Sequence, residues 1–95
     1  MYLVFRTKRF NKSYRKIKQS GQLGEQVENR LEEVIDILAS CKSLSVGYKD
    51  HQLNGELREY RECHIRGDLL LVYQIRRNEL ALVLVDVGSH SYLGV

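Results

Sequence analysis

No proline occurs in this chain, so one common mark of an interdomain linker is missing. Cysteine is scarce. Cys41 and Cys63 show no Cys-x-x-Cys or His-x-x-x-His pairing, which speaks against a disulfide framework and leaves no metal-ligand spacing. They read as two reduced, largely structural thiols. No apolar run reaches the roughly 18 residues that a membrane span needs. The opening Met1-Tyr2-Leu3-Val4-Phe5 turns basic at Arg6 and lacks the long apolar core of a signal peptide. These absences describe a cytoplasmic chain with no membrane partner. Acidic residues are absent from the first twenty positions, and histidine occurs only three times in the whole chain.

The residues present describe one domain, 1–95. With 43% hydrophobic and 28% charged residues, the chain can build a core and is not intrinsically disordered. At this length roughly two-thirds of the unfolded surface is buried, enough for a single core. The charge is unevenly placed. Arg6, Lys8, Arg9, Lys12, Arg15, Lys16 and Lys18 crowd the first twenty residues. Residues 21–40 set Arg30 against Glu25, Glu28, Glu32, Glu33 and Asp36, and the remainder is balanced. A basic block beside a neutral remainder suits a polyanion-facing surface; a solvated helix face is the plain alternative.

Tyr2-Leu3-Val4-Phe5 reads as a short strand. Thr7 can cap a helix in which Phe10, Tyr14 and Ile17 form one apolar stripe. Ser20-Gly21-Gln22-Leu23-Gly24 breaks it. Val27, Leu31, Val34, Ile35 and Leu38 then mark a second helix ending near Ala39-Ser40, antiparallel to the first because the connection is short. Residues 41–58 lack periodicity and read as a loop. Tyr60 to Ile65, Asp68 to Ile75 and Leu80 to Val87 are strands joined by tight turns, an antiparallel meander. The order β-α-α-β-β-β predicts an α+β domain, with two N-terminal antiparallel helices packed on one face of a small antiparallel sheet.

Each histidine lies in a polar cluster beside a strand. His51 follows Tyr48-Lys49-Asp50, His64 precedes Ile65-Arg66-Gly67-Asp68, and His90 follows Gly88-Ser89. Taken singly, each has an ordinary reading: a loop, turn or tail histidine in water. Together they change the balance, because His64 and His90 both lie at strand ends and the loop can deliver His51 to the same place. A tight turn also brings Asp68 near His64, where a carboxylate can fix an imidazole tautomer. Imidazoles, an aspartate and arginines suffice for phosphodiester transfer on RNA. That reaction needs a base for the 2′-hydroxyl, an acid for the leaving oxygen and cations for the phosphorane. Tyr60, Tyr73 and Tyr92 are candidates for base stacking, although Tyr73 falls in the most apolar strand and suits the core better.

Four segments carry a resemblance to a known family. They are Phe10-Asn11-Lys12-Ser13-Tyr14-Arg15-Lys16, Tyr48-Lys49-Asp50-His51-Gln52-Leu53-Asn54-Gly55, Tyr60 through Tyr73, and Gly88-Ser89-His90-Ser91. Over nearly its whole length the chain resembles the RelE/YafQ-type toxins of type II toxin–antitoxin systems, within the RelE/ParE superfamily, and most specifically the YafQ branch. The resemblance implies a ribosome-dependent messenger RNA endonuclease. Such a toxin enters the ribosomal A site and uses metal-independent attack of the 2′-hydroxyl on phosphate, with no cofactor. Carried over position by position, His51, His64, Asp68 and His90 are the catalytic or substrate-contacting residues, and no metal ligand is implied. Arg61 is a candidate phosphate contact. Arg9, Lys12, Arg15 and Lys16 are candidates for holding ribosomal RNA, and Tyr92 for a base. The implied partners are a cognate antitoxin, the 70S ribosome and its messenger RNA.

The chain departs from the family pattern in two places. Many relatives carry Arg four residues before the last histidine, where this chain has Asp86. Many carry an aromatic residue four after it, where this chain has Gly94. Two other readings follow: a ParE-like toxin directed at DNA gyrase, and a catalytically degenerate relative that still binds an antitoxin.

Overall fold

Thr7 starts the first helix. Its backbone is extended, its hydroxyl oxygen accepts from Phe10 N at 2.9 Å, and its hydroxyl donates to the Val85 carbonyl at 2.7 Å. One N-cap of this kind is worth about 1 kcal/mol. The computed structural model describes residues 1–94. It contains β1 (Leu3–Arg6), α1 (Lys8–Gln19), α2 (Glu25–Ala39), β2 (His51–Gln52), β3 (Arg61–Arg66), β4 (Leu69–Arg76), β5 (Ala81–Gly88) and α3 (His90–Leu93). No helix among the described residues is long and apolar enough to cross a membrane.

The α+β class and the two N-terminal helices match the expectation. Phe10 from α1 and Leu31, Val34 and Leu38 from α2 are buried against Cys63, Ile65, Leu71, Tyr73, Leu82, Leu84 and Val87 of the sheet. The helices are also tied to each other. The Tyr14 hydroxyl donates to Glu28 Oε1 at 2.5 Å, and Lys18 lies 3.5 Å from the same oxygen. That carboxylate raises the Tyr14 phenol to about 12, with burial adding to the effect. Both cysteines are free, and burial pushes the Cys63 thiol up to about 12, which makes it inert.

The sheet has five strands in the order β1-β5-β4-β3-β2 and differs from the expected meander in two ways. First, β1 pairs parallel with β5, so the sheet is mixed rather than antiparallel throughout. The two strands lie at opposite ends of the chain, and the intervening helices and strands supply the long crossover that a parallel pair requires. Second, the segment expected to be a loop contains 3₁₀ turns at Val46–Tyr48 and Gly55–Leu57 and the two-residue strand β2. A further addition is α3, a single turn where a tail was expected. Ser89 caps it by accepting from Tyr92 N at 3.1 Å, and Gly94 ends it at φ 74°.

Register decides which side chains share a face. His51 pairs with Glu62, Glu62 with Val72, and Val72 with Asp86, while His64 pairs with Leu70 and Leu70 with Gly88. Directly opposed residues point to the same side. This face is therefore the one opposite to Cys63, Leu71 and Val87, which pack under the helices. On β5 the register shifts so that Tyr73 pairs with Leu84, leaving Val85 as an extra residue, a bulge. Where β1 stops, the cap residue Thr7 and then Arg9 and Ser13 of α1 reach this stretch of β5.

Candidate active site

Three imidazoles converge on one carboxylate. Glu62 is only 3% exposed, and its Oε1 lies 3.5 Å from His51 Nε2, 3.9 Å from His64 Nε2 and 4.0 Å from His90 Nε2. The strands impose this arrangement. His64 follows Glu62 by two residues on β3, so both face the same way. His51 stands opposite Glu62 on β2, and Gly88 ends β5 opposite Leu70, so the next turn carries His90 over the same face. The His64 and His90 rings are 5.5 Å apart and tilted by 58°. A cavity of about 440 Å³ is lined by the three histidines and Glu62 together with Leu53, Asn54 and Leu57.

Two of the rings have fixed tautomers. His51 Nδ1 is 2.8 Å from the Lys49 carbonyl, which can only accept, so the proton sits on Nδ1. His90 Nδ1 is 2.7 Å from Asp68 Oδ1, which also accepts from the His90 backbone N–H at 3.4 Å. These bonds from His90, the ring first and the backbone second, hold the Asp68 carboxyl below its usual range. In both rings Nε2 is left for the cavity.

The structure thus brings His51, His64 and His90 together and joins Asp68 to His90 rather than to His64. It places Arg61 elsewhere. By strand alternation Arg61 faces the opposite side from Glu62, and it pairs with Asp50 at 3.1 Å, the same carboxylate that accepts from the Tyr73 hydroxyl. Arg9, Lys12, Arg15 and Lys16 are all exposed along α1, with Arg9 paired to Asp86 at 2.9 Å. Tyr92 is 46% exposed. Its hydroxyl meets Ser13 at 2.8 Å, and Lys16 lies 5.7 Å from its ring centre.

Sequence reasoning missed Glu62 as a site residue. The available signal was its i, i+2 relation to His64 on a strand, which puts a carboxylate and an imidazole side by side. Glu62, His64 and His90 could also hold a transition metal ion. Their ligand atoms lie within 4.8 Å of one another, and two imidazoles with a carboxylate are a common donor set.

Residues 2–94 match the family described as YafQ, bacterial toxins of type II toxin–antitoxin systems. The chain is 29% identical over 89 residues to the mRNA interferase toxin YafQ of Escherichia coli strain K12, covering 83% of this chain and 95% of that one. A stretch of 40 residues is 58% identical to a protein named as a candidate YafQ toxin of Haemophilus influenzae, spanning 42% of this chain and 39% of that one. The crystal structure of a metal-bound toxin from Helicobacter pylori aligns with a TM-score of 0.85 at 41% identity, covering 98% of this chain and 99% of the other. The toxin in the Escherichia coli DinJ–YafQ complex aligns with a TM-score of 0.81 at 22% identity, with 98% of each chain covered; that likeness is one of fold.

Proposed function

The chain belongs to the YafQ family of type II toxin–antitoxin toxins, and from that premise we propose that it is an endoribonuclease that cuts messenger RNA in the ribosomal A site. The observation that carries this reading is the convergence of three imidazole Nε2 atoms on the buried Glu62 carboxylate. A relative from Escherichia coli is named an mRNA interferase toxin, and proton-transfer groups in a shallow cavity suit that activity.

In the proposed reaction a ribose 2′-hydroxyl attacks the adjacent phosphorus and the bond to the 5′ oxygen breaks. The products are a 2′,3′-cyclic phosphate and a 5′-hydroxyl end. His64, the least exposed of the three rings, takes the 2′ proton. His90 gives a proton to the leaving oxygen: its Nδ1 is spent on Asp68, and its Nε2 lies beside Glu62, so two carboxylates face its protonated form. His51, held by the Lys49 carbonyl through Nδ1, donates from Nε2 to a phosphate oxygen in its protonated form. Glu62 offers one negative charge to whichever ring carries the extra proton. No step calls for a metal, and an ion on Glu62, His64 and His90 would occupy the nitrogens that move protons.

Arg9, Lys12, Arg15 and Lys16 form the surface that holds ribosomal RNA phosphates. The same basic surface suits a cognate antitoxin, the kind of partner seen for YafQ in its complex with DinJ, binding through a segment that folds on contact. The site of action is the cytoplasm, where ribosomes are. The direct test is growth arrest on expression. His64→Ala and His90→Ala should each relieve it, with the far-ultraviolet circular dichroism unchanged. Full toxicity of both folded variants would end this reading.

A further inference from the structure

Asp86 is a carboxylate on the histidine-bearing face, two strands from Glu62 through Val72, and only 4% exposed. A bare negative charge there would repel a phosphate, yet every contact it makes is used. Oδ1 accepts from Ser13 Oγ at 2.6 Å and from Val87 N at 2.9 Å, and Oδ2 faces Arg9 Nε at 2.9 Å. Arg9 thus neutralises it.

The Ser13 contact has a direction. A carboxylate only accepts, so the single Ser13 proton goes to Asp86. The 2.8 Å contact between Ser13 Oγ and the Tyr92 hydroxyl must then run the other way, with Tyr92 donating. One chain results: Tyr92 to Ser13 to Asp86. Its far end is the one-turn helix α3, which also carries His90. A four-residue helix lies far below the length that sustains itself, so its placement depends on such ties. Asp68 ties the His90 end, and Ser13 ties the Tyr92 end. The Tyr92 ring further lies against Gly88, where an added Cβ would come within 2.6 Å of the ring Cδ2.

We infer that Asp86 is a positioning residue: through Ser13 and Tyr92 it sets the turn that presents His90. The kinetic consequence rests on the proposed nuclease reading; the placement of the ring does not.

Tyr92→Phe tests this with the least disturbance, because the residue is half-exposed and Phe keeps the ring against Gly88. The variant should lower kcat for cleavage of ribosome-bound message roughly 3- to 10-fold, the range for one lost hydrogen bond, with KM unchanged. Ser13→Ala should do the same, and the double variant should match either single one, because both remove the same link. In nitrogen-15 spectra the His90 imidazole signals should shift in each variant while those of His51 stay. A role for Tyr92 in base stacking alone predicts instead that Phe equals Tyr. If Tyr92→Phe changes neither kcat nor the His90 signals, the inference is wrong. If the wild-type protein cuts no message, the nuclease reading fails, and the His90 signals still decide the positioning.

Discussion

Replacing Glu62 by Gln removes one charge and keeps the size of the side chain. The consequence can be worked from distance. A unit charge 4 Å away is worth about 4 kcal/mol at an effective dielectric of about 20. His64 Nε2 is 3.9 Å from Glu62, and the His64 side chain is 23% exposed, so the full figure is an upper value. His51 and His90 side chains are 51% and 46% exposed, and water at the cavity mouth screens their share. Halving the figure for that screening gives a range of about 2–4 kcal/mol by which Glu62 favours the reactive form of the site, with one ring carrying the extra proton, over the form with none. Losing that form costs roughly 30- to 1000-fold in rate. The assay is single-turnover cleavage of ribosome-bound message, alongside thermal unfolding. Glu62→Gln should lose that factor in rate while its thermal midpoint stays within about 4 °C of wild type, because the change leaves packing intact. A variant with a rate within about 3-fold of wild type would refute the idea that this carboxylate organises the site.

Three further outcomes are expected. Lys12→Ala with Arg15→Ala should flatten the slope of log affinity for ribosomes against log salt by roughly 1.4–1.8, since each lost phosphate contact removes about 0.7–0.9; an unchanged slope would place the ribosomal RNA elsewhere. Because His90 holds the Asp68 carboxyl below its usual value, the stability it contributes is present above about pH 3.9 and is lost as pH falls through the lower, folded value. Melting curves between pH 2 and 5 should show a smaller loss in Asp68→Asn than in the wild type, the remainder coming from other carboxylates such as Glu28 beside Tyr14. Zinc at one equivalent should slow cleavage by occupying His64 and His90, with the rate restored by a chelator; stimulation by zinc would overturn the proton-transfer roles given to those rings.

The elements that the sequence made legible are those long enough to show a period. Phe10, Tyr14 and Ile17 marked α1, Val27 through Leu38 marked α2, and the largely apolar run from Asp68 to Ile75 marked a central strand. Each matches an observed element within a residue or two at its ends. The strand β2 has two residues and α3 has four, too few for any period to register. The parallel pairing of β1 with β5 depends on contacts between the two ends of the chain, which local pattern does not encode.

The site was legible where chemistry is rare. Three histidines in a chain of this length invite attention one by one, and strand ends suggested that they meet. Glu62 stayed hidden because it stands in a segment of alternating polar and apolar residues, where a glutamate reads as solvent-facing. Asp86 stood out as a departure from the family pattern, but its use became visible only with α1 laid against β5. Arg61 shows the opposite case. Its place beside the candidate histidines suggested a phosphate contact, and the period of two in a strand turns it to the face opposite His64.

The most direct measurement is primer extension on a defined message in a purified translation system, with analysis of the fragment ends. The account predicts cuts confined to ribosome-bound message, each leaving a 2′,3′-cyclic phosphate upstream and a 5′-hydroxyl downstream. Intact message under active translation would contradict it and favour a degenerate antitoxin-binding relative. DNA breaks without message cleavage would favour a gyrase-directed toxin.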